Sequence, residues 1–427
     1  MNAHVFFIFS GFIICYALIV TDRFPRASVA LATASFFIIA GFTNLETAWR
    51  DYIDFRTLAL LTGMMIVVAI LKRTGIFQYI ALKMAKLAGG EPRRLFIYFA
   101  VITALLSAFL DNVTTVLIVA PITLLVCETL RKNPFPFLFM EIIASNIGGT
   151  ATLIGDPPNI LIGSAARFSF NAFIANLTPI VIIVFCLSLA IVWLIFKKEM
   201  EVSPLDKRRL FAFDERKALK DPRFLKRSSI VLVFILMGFF AHRMLHIEPA
   251  SVAFAGGAFL LLATGLNPNE VFKELEWGTL FFFIGLFIVV GTLDSIGAIR
   301  CVAAFLTVWT QAPAVLIMIV LWVAAFLSTI FGSIPVTVAL IPLVREVATQ
   351  VRFAPVEMQA AWWALALGAC FGGNGSIIAS AANVVVADIA DKAGHHITFK
   401  RYISYAIPLT LGSIILSSVY IWIRYLL

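Results

Sequence analysis

Asp111 and Asp156 are carboxylates in sequence that otherwise has little room for charge. The first lies in "LSAFLDNVTTVLIVAPI" (106–122) and the second in "SNIGGTATLIGDPPNILIG" (145–163), both inside long apolar stretches. An ionisable group at membrane depth is expensive, and it points to a ligand or ion pathway unless a structural role explains it. The second stretch also carries Gly148, Gly149, Gly155, Pro157 and Pro158, which disfavour a continuous helix. Read together, the glycines let one helix stop, Asp156 can cap the next, and Pro157 suits its first turn. A helix broken in this way ends in free carbonyls and restarts with free N–H groups, which attract cations and anions respectively. Such backbone is tolerated inside a membrane only where protein or a water-filled cavity satisfies it.

The same chemistry recurs later in the chain. "TLALLTGMMIVVAILKRTG" (57–75) matches "TLFFFIGLFIVVGTLDSIG" (279–297), 106–122 matches "LSTIFGSIPVTVALIPL" (327–343), and 145–163 matches "ACFGGNGSIIASAANVVVA" (369–387), at offsets of 221 to 224 residues. The alignment pairs Gly148 and Gly149 with Gly372 and Gly373, Asn112 with Ser333, Asp156 with Ser380, and Asn159 with Asn383. Asp156 and Ser380 are both good helix caps, as are Asn112 and Ser333, so capping alone is an alternative for each. Asp111 pairs with Gly332, so a shared structural role does not account for its charge. Thr114, Thr115, Thr150, Thr152, Thr337, Asn374 and Ser376 complete the candidate set, as site lining or as hydroxyls and amides bonded to nearby helix carbonyls. Asn159 and Asn383 read as helix-bonding scaffold or site wall.

The elements that must position these residues are membrane helices. Hydrophobic residues make up 61% of the chain and charged residues 13%, with a mean hydropathy of +0.98. About 20 apolar residues span the hydrocarbon layer, and runs such as "VFFIFSGFIICYALIV" (5–20) recur to the C-terminus. The start reads as a first spanning helix rather than a cleaved signal. Residues 95–126 are too long for one crossing and are interrupted only by Asp111-Asn112, which suits a re-entrant hairpin; two crossings with a tight surface turn are the alternative. "GIFQYIALKMAKLAGG" predicts an interfacial helix with Phe77, Ile80, Ala81, Met84 and Leu87 on one face.

The fold expected is therefore all-α and polytopic: two inverted five-crossing repeats, 1–196 and 228–427, each with a hairpin and a broken helix, joined by a cytoplasmic linker at 197–227. On that topology 25 of the 33 Lys and Arg residues fall on one face, eleven of them in the linker. The other face keeps Arg50, Arg56, Arg167, Arg243, Arg300, Arg345, Arg352 and Arg424. The positive-inside rule then puts the rich face in the cytoplasm of a cell (inner) membrane and both termini outside. The net charge of +9 is explained by this sorting, and no nucleic-acid partner is expected. The five cysteines read as small core hydrophobes, and His395-His396 as solvated. No HExxH, Walker-type loop or plausible GxSxG is present, so an enzyme is not expected.

The motifs "DNVTTVLIVAPIT", "SNIGGTATLIGDPPNILIG" and "WWALALGACFGGNGSIIASAANVVVADIA" resemble the ion transporter superfamily, in particular its branch of arsenite pump membrane subunits, NhaD-type sodium/proton antiporters and the melanosomal P protein, with a citrate-transporter-like domain. The resemblance covers nearly the whole chain. It implies about ten spanning helices with two re-entrant hairpins, ion-coupled transport, and often a homodimer working by an elevator motion. By motif it carries over Asp111, Asn112, the Gly148–Thr152 break, Ser333 and the Gly372–Ser376 break as substrate and sodium positions, with a sodium ion near Asp111, Asn112 and Gly149. Several relatives repeat Asp-Asn at the second hairpin tip, where this chain has Gly332-Ser333, one carboxylate fewer.

The function expected is secondary transport of a small inorganic or organic anion, oxyanion-like, coupled to protons or sodium. No Lys or Arg is expected in the site, so helix N-termini, hydroxyls and amides would hold the anion. A sodium/proton antiporter using Asp111 and Asp156 is the main alternative, and an anion channel a further one. No cofactor is expected beyond a sodium ion, and an assisting ATPase subunit stays open.

Overall fold

The computed structural model describes residues 3–21, 23–89, 91–200, 219 and 221–427. Most of the expected linker, residues 201–218, lies outside the described residues. Among them, eighteen α-helices are ten residues or longer: α1 (Ala3–Thr21), α2 (Arg26–Ile39), α3 (Phe55–Thr74), α4 (Ile76–Leu87), α5 (Pro92–Ser107), α6 (Asn112–Thr129), α7 (Phe135–Thr150), α8 (Pro157–Ala166), α9 (Phe170–Phe196), α10 (Pro222–Ala241), α11 (Pro249–Thr264), α12 (Trp277–Ser295), α13 (Ala298–Trp309), α14 (Pro313–Phe331), α15 (Ser333–Val351), α16 (Pro355–Gly372), α17 (Ala381–Lys392) and α18 (Phe399–Ile421). Nine of the described helices are long and apolar enough to cross a membrane. The chain is a multi-pass membrane protein.

The elements run in the same order twice, each helix of the first nine answered by one nine places later. Their packing is reciprocal: α3 lies against α11 and α12 against α2, α5 against α7 and α14 against α16, α4 against α6 and α13 against α15. The α3–α11 and α2–α12 crossings depend on small residues. A side chain at Gly63 would collide with the Ala253 backbone, and one at Gly285 with the Ala30 backbone. Small residues let helices approach closely where lipid offers no hydrophobic driving force between them. A large apolar core runs through both halves, with a small separate cluster at Ala303, Leu316 and Val347.

Local sequence explains where the helices near the site begin and end. Asp54 caps α3 by accepting from the Arg56 and Thr57 N–H groups, and Gly75, at φ 77°, closes it. α4 buries Phe77, Ala81 and Ala85, while Leu87 is exposed, so its packed stripe is narrower than the sequence face predicts. Cys15, Cys127 and Cys370 are buried as expected of small hydrophobes, but Cys186 and Cys301 are exposed on the outer surface of the helices. In both hairpins the turn is short: α5 ends at Ser107 and α6 begins at Asn112, and only Gly332 separates α14 from α15.

Candidate functional site

Four helix starts converge. The N-terminal ends of α6, α8, α15 and α17 line one cavity of about 100 Å³, through Asp111, Asn112, Asp156, Pro157, Gly332, Ser333, Ser380 and Ala381. Helix N-termini carry partial positive charge, so this is ground prepared for an anion. The wall opposite comes from α3 and the start of α12, including Met64, Val68, Glu276 and Thr279.

The site carries an arginine the sequence reading did not expect. Arg26, at the start of α2, lines the cavity, and its Nη2 donates to Ile378 O at 3.0 Å. It lies on the side of the second hairpin, close to Gly332. That glycine holds φ at 92°, a left-handed conformation disfavoured for residues with a Cβ. Glu276 was also missed. Its repeat counterpart is Asp54, and each accepts from a threonine at the start of its own helix: Thr57 Oγ1 to Asp54 at 2.8 Å, and Thr279 Oγ1 to Glu276 at 3.0 Å. Neither acid lies inside the motifs that carried the sequence candidates.

The breaks are built from matched hydrogen bonds. Asn159 Nδ2 donates to Thr150 O (3.0 Å) and Thr152 O (2.8 Å), and Asn383 Nδ2 donates to Gly373 O (2.8 Å) and Ser376 O (2.9 Å). Each asparagine thus satisfies carbonyls that the broken helix orphans. Ser107 Oγ donates to Ser145 O and Ser328 Oγ to Ala369 O, both at 2.7 Å, tying each hairpin to its neighbouring broken helix. Thr152 Oγ1 donates to Ala108 O, and Ser376 Oγ to Thr329 O. At the centre, Asn146 Nδ2 donates to Asn383 Oδ1 (2.9 Å) and Asn374 Oδ1 (2.9 Å), while its repeat counterpart Cys370 donates to Asn159 Oδ1 (3.6 Å). Asn146 stood inside the quoted motif, and its substitution by cysteine in the repeat was the signal available.

Several expectations need correcting. The first glycine pair is not itself the interruption, since α7 continues helically through Gly148 and Gly149 to Thr150, whereas the second pair is, with α16 ending at Gly372 and Gly373 its C-cap. Gly148 and Gly372 permit close approach, since a side chain at either would collide with the backbone of Ala104 or Ala325. Asp156 occupies the N-cap position of α8 without making a side-chain cap bond, and Ser380 makes none at α17. The Asp156 carboxylate faces the Cys370 thiol and the Asn112 amide, and the residue is 4% exposed. Asp111 does cap, accepting from Thr114 N at 2.7 Å. The capping role falls to the other acid.

The remaining threonine candidates, Thr114, Thr115, Thr150, Thr152 and Thr337, do not line the cavity. Thr150 Oγ1 donates to Asn146 O and Thr337 Oγ1 to Ser333 O, ordinary helix back-bonds. Thr115 is fully buried with an unpartnered hydroxyl. His396 is exposed and pairs with Asp391 at 2.7 Å. Glu141 was not singled out from the sequence. It is fully buried in α7, one oxygen accepting from Thr123 Oγ1 and the other unpartnered.

Similarity to known proteins agrees with this architecture. Residues 16–368 match the family model described as citrate transporter. The chain is 40% identical over 419 residues to a 46 kDa membrane protein of Mycobacterium leprae, covering 97% of each. It is 30% identical to the P protein of Sus scrofa, over 96% of this chain and 58% of that protein. The MtrF structure from Neisseria gonorrhoeae, described with a class of antimetabolite efflux pumps, shares the fold at a TM-score of 0.64 and 12% identity, covering 100% of this chain and 96% of that one.

Proposed function

The chain belongs to the citrate transporter family, and from that premise we propose that it is a secondary active transporter of a small oxyanion or carboxylate, coupled to protons or sodium. That it is a membrane transporter rather than an enzyme follows from the family itself. The observation that supports the finer reading is the division of charge in the cavity of about 100 Å³. Arg26 and the N-termini of α15 and α17, which carry no acid, form an electropositive side; Asp111, Asp156 and Glu276 form an acidic one. An anion on the first side and a proton or sodium ion on the second would each compensate what the other leaves exposed.

For the sodium-coupled case we place the ion at the first hairpin tip, near Asp111, Asn112 and Gly149, where the Asp111 carboxylate would balance its charge. The Asn112 amide, with Nδ2 turned toward Ser107 Oγ (2.5 Å), Ser145 O (3.1 Å) and Gly155 O (3.2 Å), satisfies those oxygens itself. The acidic side also favours a second reading, sodium/proton antiport, in which no anion moves.

Uptake into proteoliposomes under imposed proton and sodium gradients separates the two. We expect Asp156→Asn and Asp111→Asn to fold, as judged by gel filtration, and to lose gradient-driven uptake of citrate or phosphate at least tenfold; asparagine remains a good cap at position 111. Parent-like uptake by both variants under both gradients would overturn the coupling assignment. Proton release driven by sodium alone, with no anion required, would favour antiport.

A further inference from the structure

A second, larger cavity of about 1040 Å³ lies on the face where α8 ends and α9 begins. Arg56, Arg167 and Arg243 line it from three separate elements, with His242, Ser164, Ser169 and Asn171. Arg167 also reaches a neighbouring cavity with Arg345. Three of the eight basic residues that charge sorting leaves on this face thus line one crevice, with a fourth in the cavity beside it, and all eight are Arg rather than Lys. Against them the crevice lining has a single acid, Glu248. Arginine presents a planar fork of donors suited to carboxylate and phosphate oxygens. Helix dipoles favour Arg167 and Arg243, which follow the C-terminal ends of α8 and α10. They do not explain Arg56, at the start of α3, whose only acidic partner among the described residues is Glu248 at 3.3 Å.

α8 connects this crevice with the central site. Pro157 and Ile160 line the small cavity, and Ile160, Ser164 and Arg167 line the large one or its neighbour. The spacing puts Pro157, Ile160 and Ser164 on one helical face, with Arg167 capping the helix end about 15 Å from Pro157. Ile160 is the partition between the two cavities.

We propose that the crevice is a vestibule that captures a multivalent oxyanion, of carboxylate or phosphate type, before it passes along α8 to the central site. This deepens the anion reading above and rests on it. Arg167 and Arg243 are the capturing groups, and attraction there raises the local anion concentration in a salt-dependent way.

The test reads binding and transport separately. A cysteine replacing exposed Gln359, which lines the vestibule, is labelled with an environment-sensitive fluorophore in a cysteine-free background. The protein is then titrated with citrate, phosphate and acetate in nanodiscs with and without anionic lipid. The expected result is a response to citrate and phosphate at least tenfold more sensitive than to acetate, weakened by salt and by Arg167→Gln with Arg243→Gln. In proteoliposomes the same two substitutions should raise the KM for external anion about tenfold and leave kcat within twofold. An unresponsive label, a response indifferent to the arginines, or one produced by anionic lipid alone would overturn the vestibule. A vestibule that binds while the parent protein takes up no anion would instead sink the anion-transport reading.

Discussion

At the scale of single residues, the duplication acts as an internal control. Wherever one half carries a polar group that its counterpart lacks, the shared fold does not demand it. Glu141 and Thr123 are such a pair, for their counterparts are Leu365 and Val344. Among the described residues the Thr123 hydroxyl is the only hydrogen-bond partner of the buried Glu141 carboxyl, and one oxygen has none. Removing one partner strands the other, whereas replacing both by apolar groups of similar shape can be nearly neutral. Thr123→Val should therefore cost about 1–3 kcal/mol, and adding Glu141→Leu should restore most of the loss, a strongly non-additive cycle. Thermal unfolding in detergent, followed by intrinsic fluorescence, checks this. Equal and additive losses would mean that the two side chains are not coupled.

At the scale of elements, much was legible because each device has a local cause. The Asp111-Asn112 interruption marked the first hairpin, the repeat alignment marked the second at Gly332-Ser333, and the glycine–proline cluster marked the first break to within a few residues. What sequence could not supply was the partner of each group. Gly148 was read as a helix breaker, but its lack of a Cβ serves contact with α5, a fact that belongs to tertiary packing. Asp156 was read as a cap from its position before Pro157, yet its side chain turns to Cys370 and Asn112, contacts more than 200 residues apart in the first case. Arg26 lies far along the chain from every motif and enters the site only because α2 packs on α12. The two break glycines also differ in a way that alignment hides. A Cβ at Gly149 would strike Asn112 and lie 2.8 Å from Gly155 O, while one at Gly373 meets nothing closer than a carbonyl of its own helix at 3.1 Å. Gly149→Ala should therefore displace the hairpin tip and cost about 1–3 kcal/mol, as overpacking does. Gly373→Ala meets nothing closer than Cys370 O, at 3.1 Å, and should cost less than Gly149→Ala. Comparable melting temperatures for the two variants would refute the assignment.

At the scale of the whole molecule, the charge sorting read from sequence and the cavities found in the fold bear on the same question, which face is which. Arg56, Arg167 and Arg345, all assigned to the sparse face, share one cavity with Asp51 and Asp54. Arg73, assigned to the rich face, pairs with Glu270 at 3.1 Å and Glu274 at 2.7 Å in the segment before α12. Three arginines sorted to the sparse face by counting are thus together in space, as the sequence topology expects of them. The compartment each face meets depends on the positive-inside rule, since the membrane's polarity is not encoded in packing. The sequence topology assigns the end of α15 at Val351 to the sparse face and the end of α17 at Lys392 to the rich one, so two positions report it. In a cysteine-free background, a cysteine at Arg352 should react with an impermeant maleimide in intact cells. One at Lys392, whose side chain is largely exposed, should react only after the membrane is opened. The reverse pattern would invert the whole molecule: the basic vestibule would then face the cytoplasm, and its anions would be drawn from inside the cell.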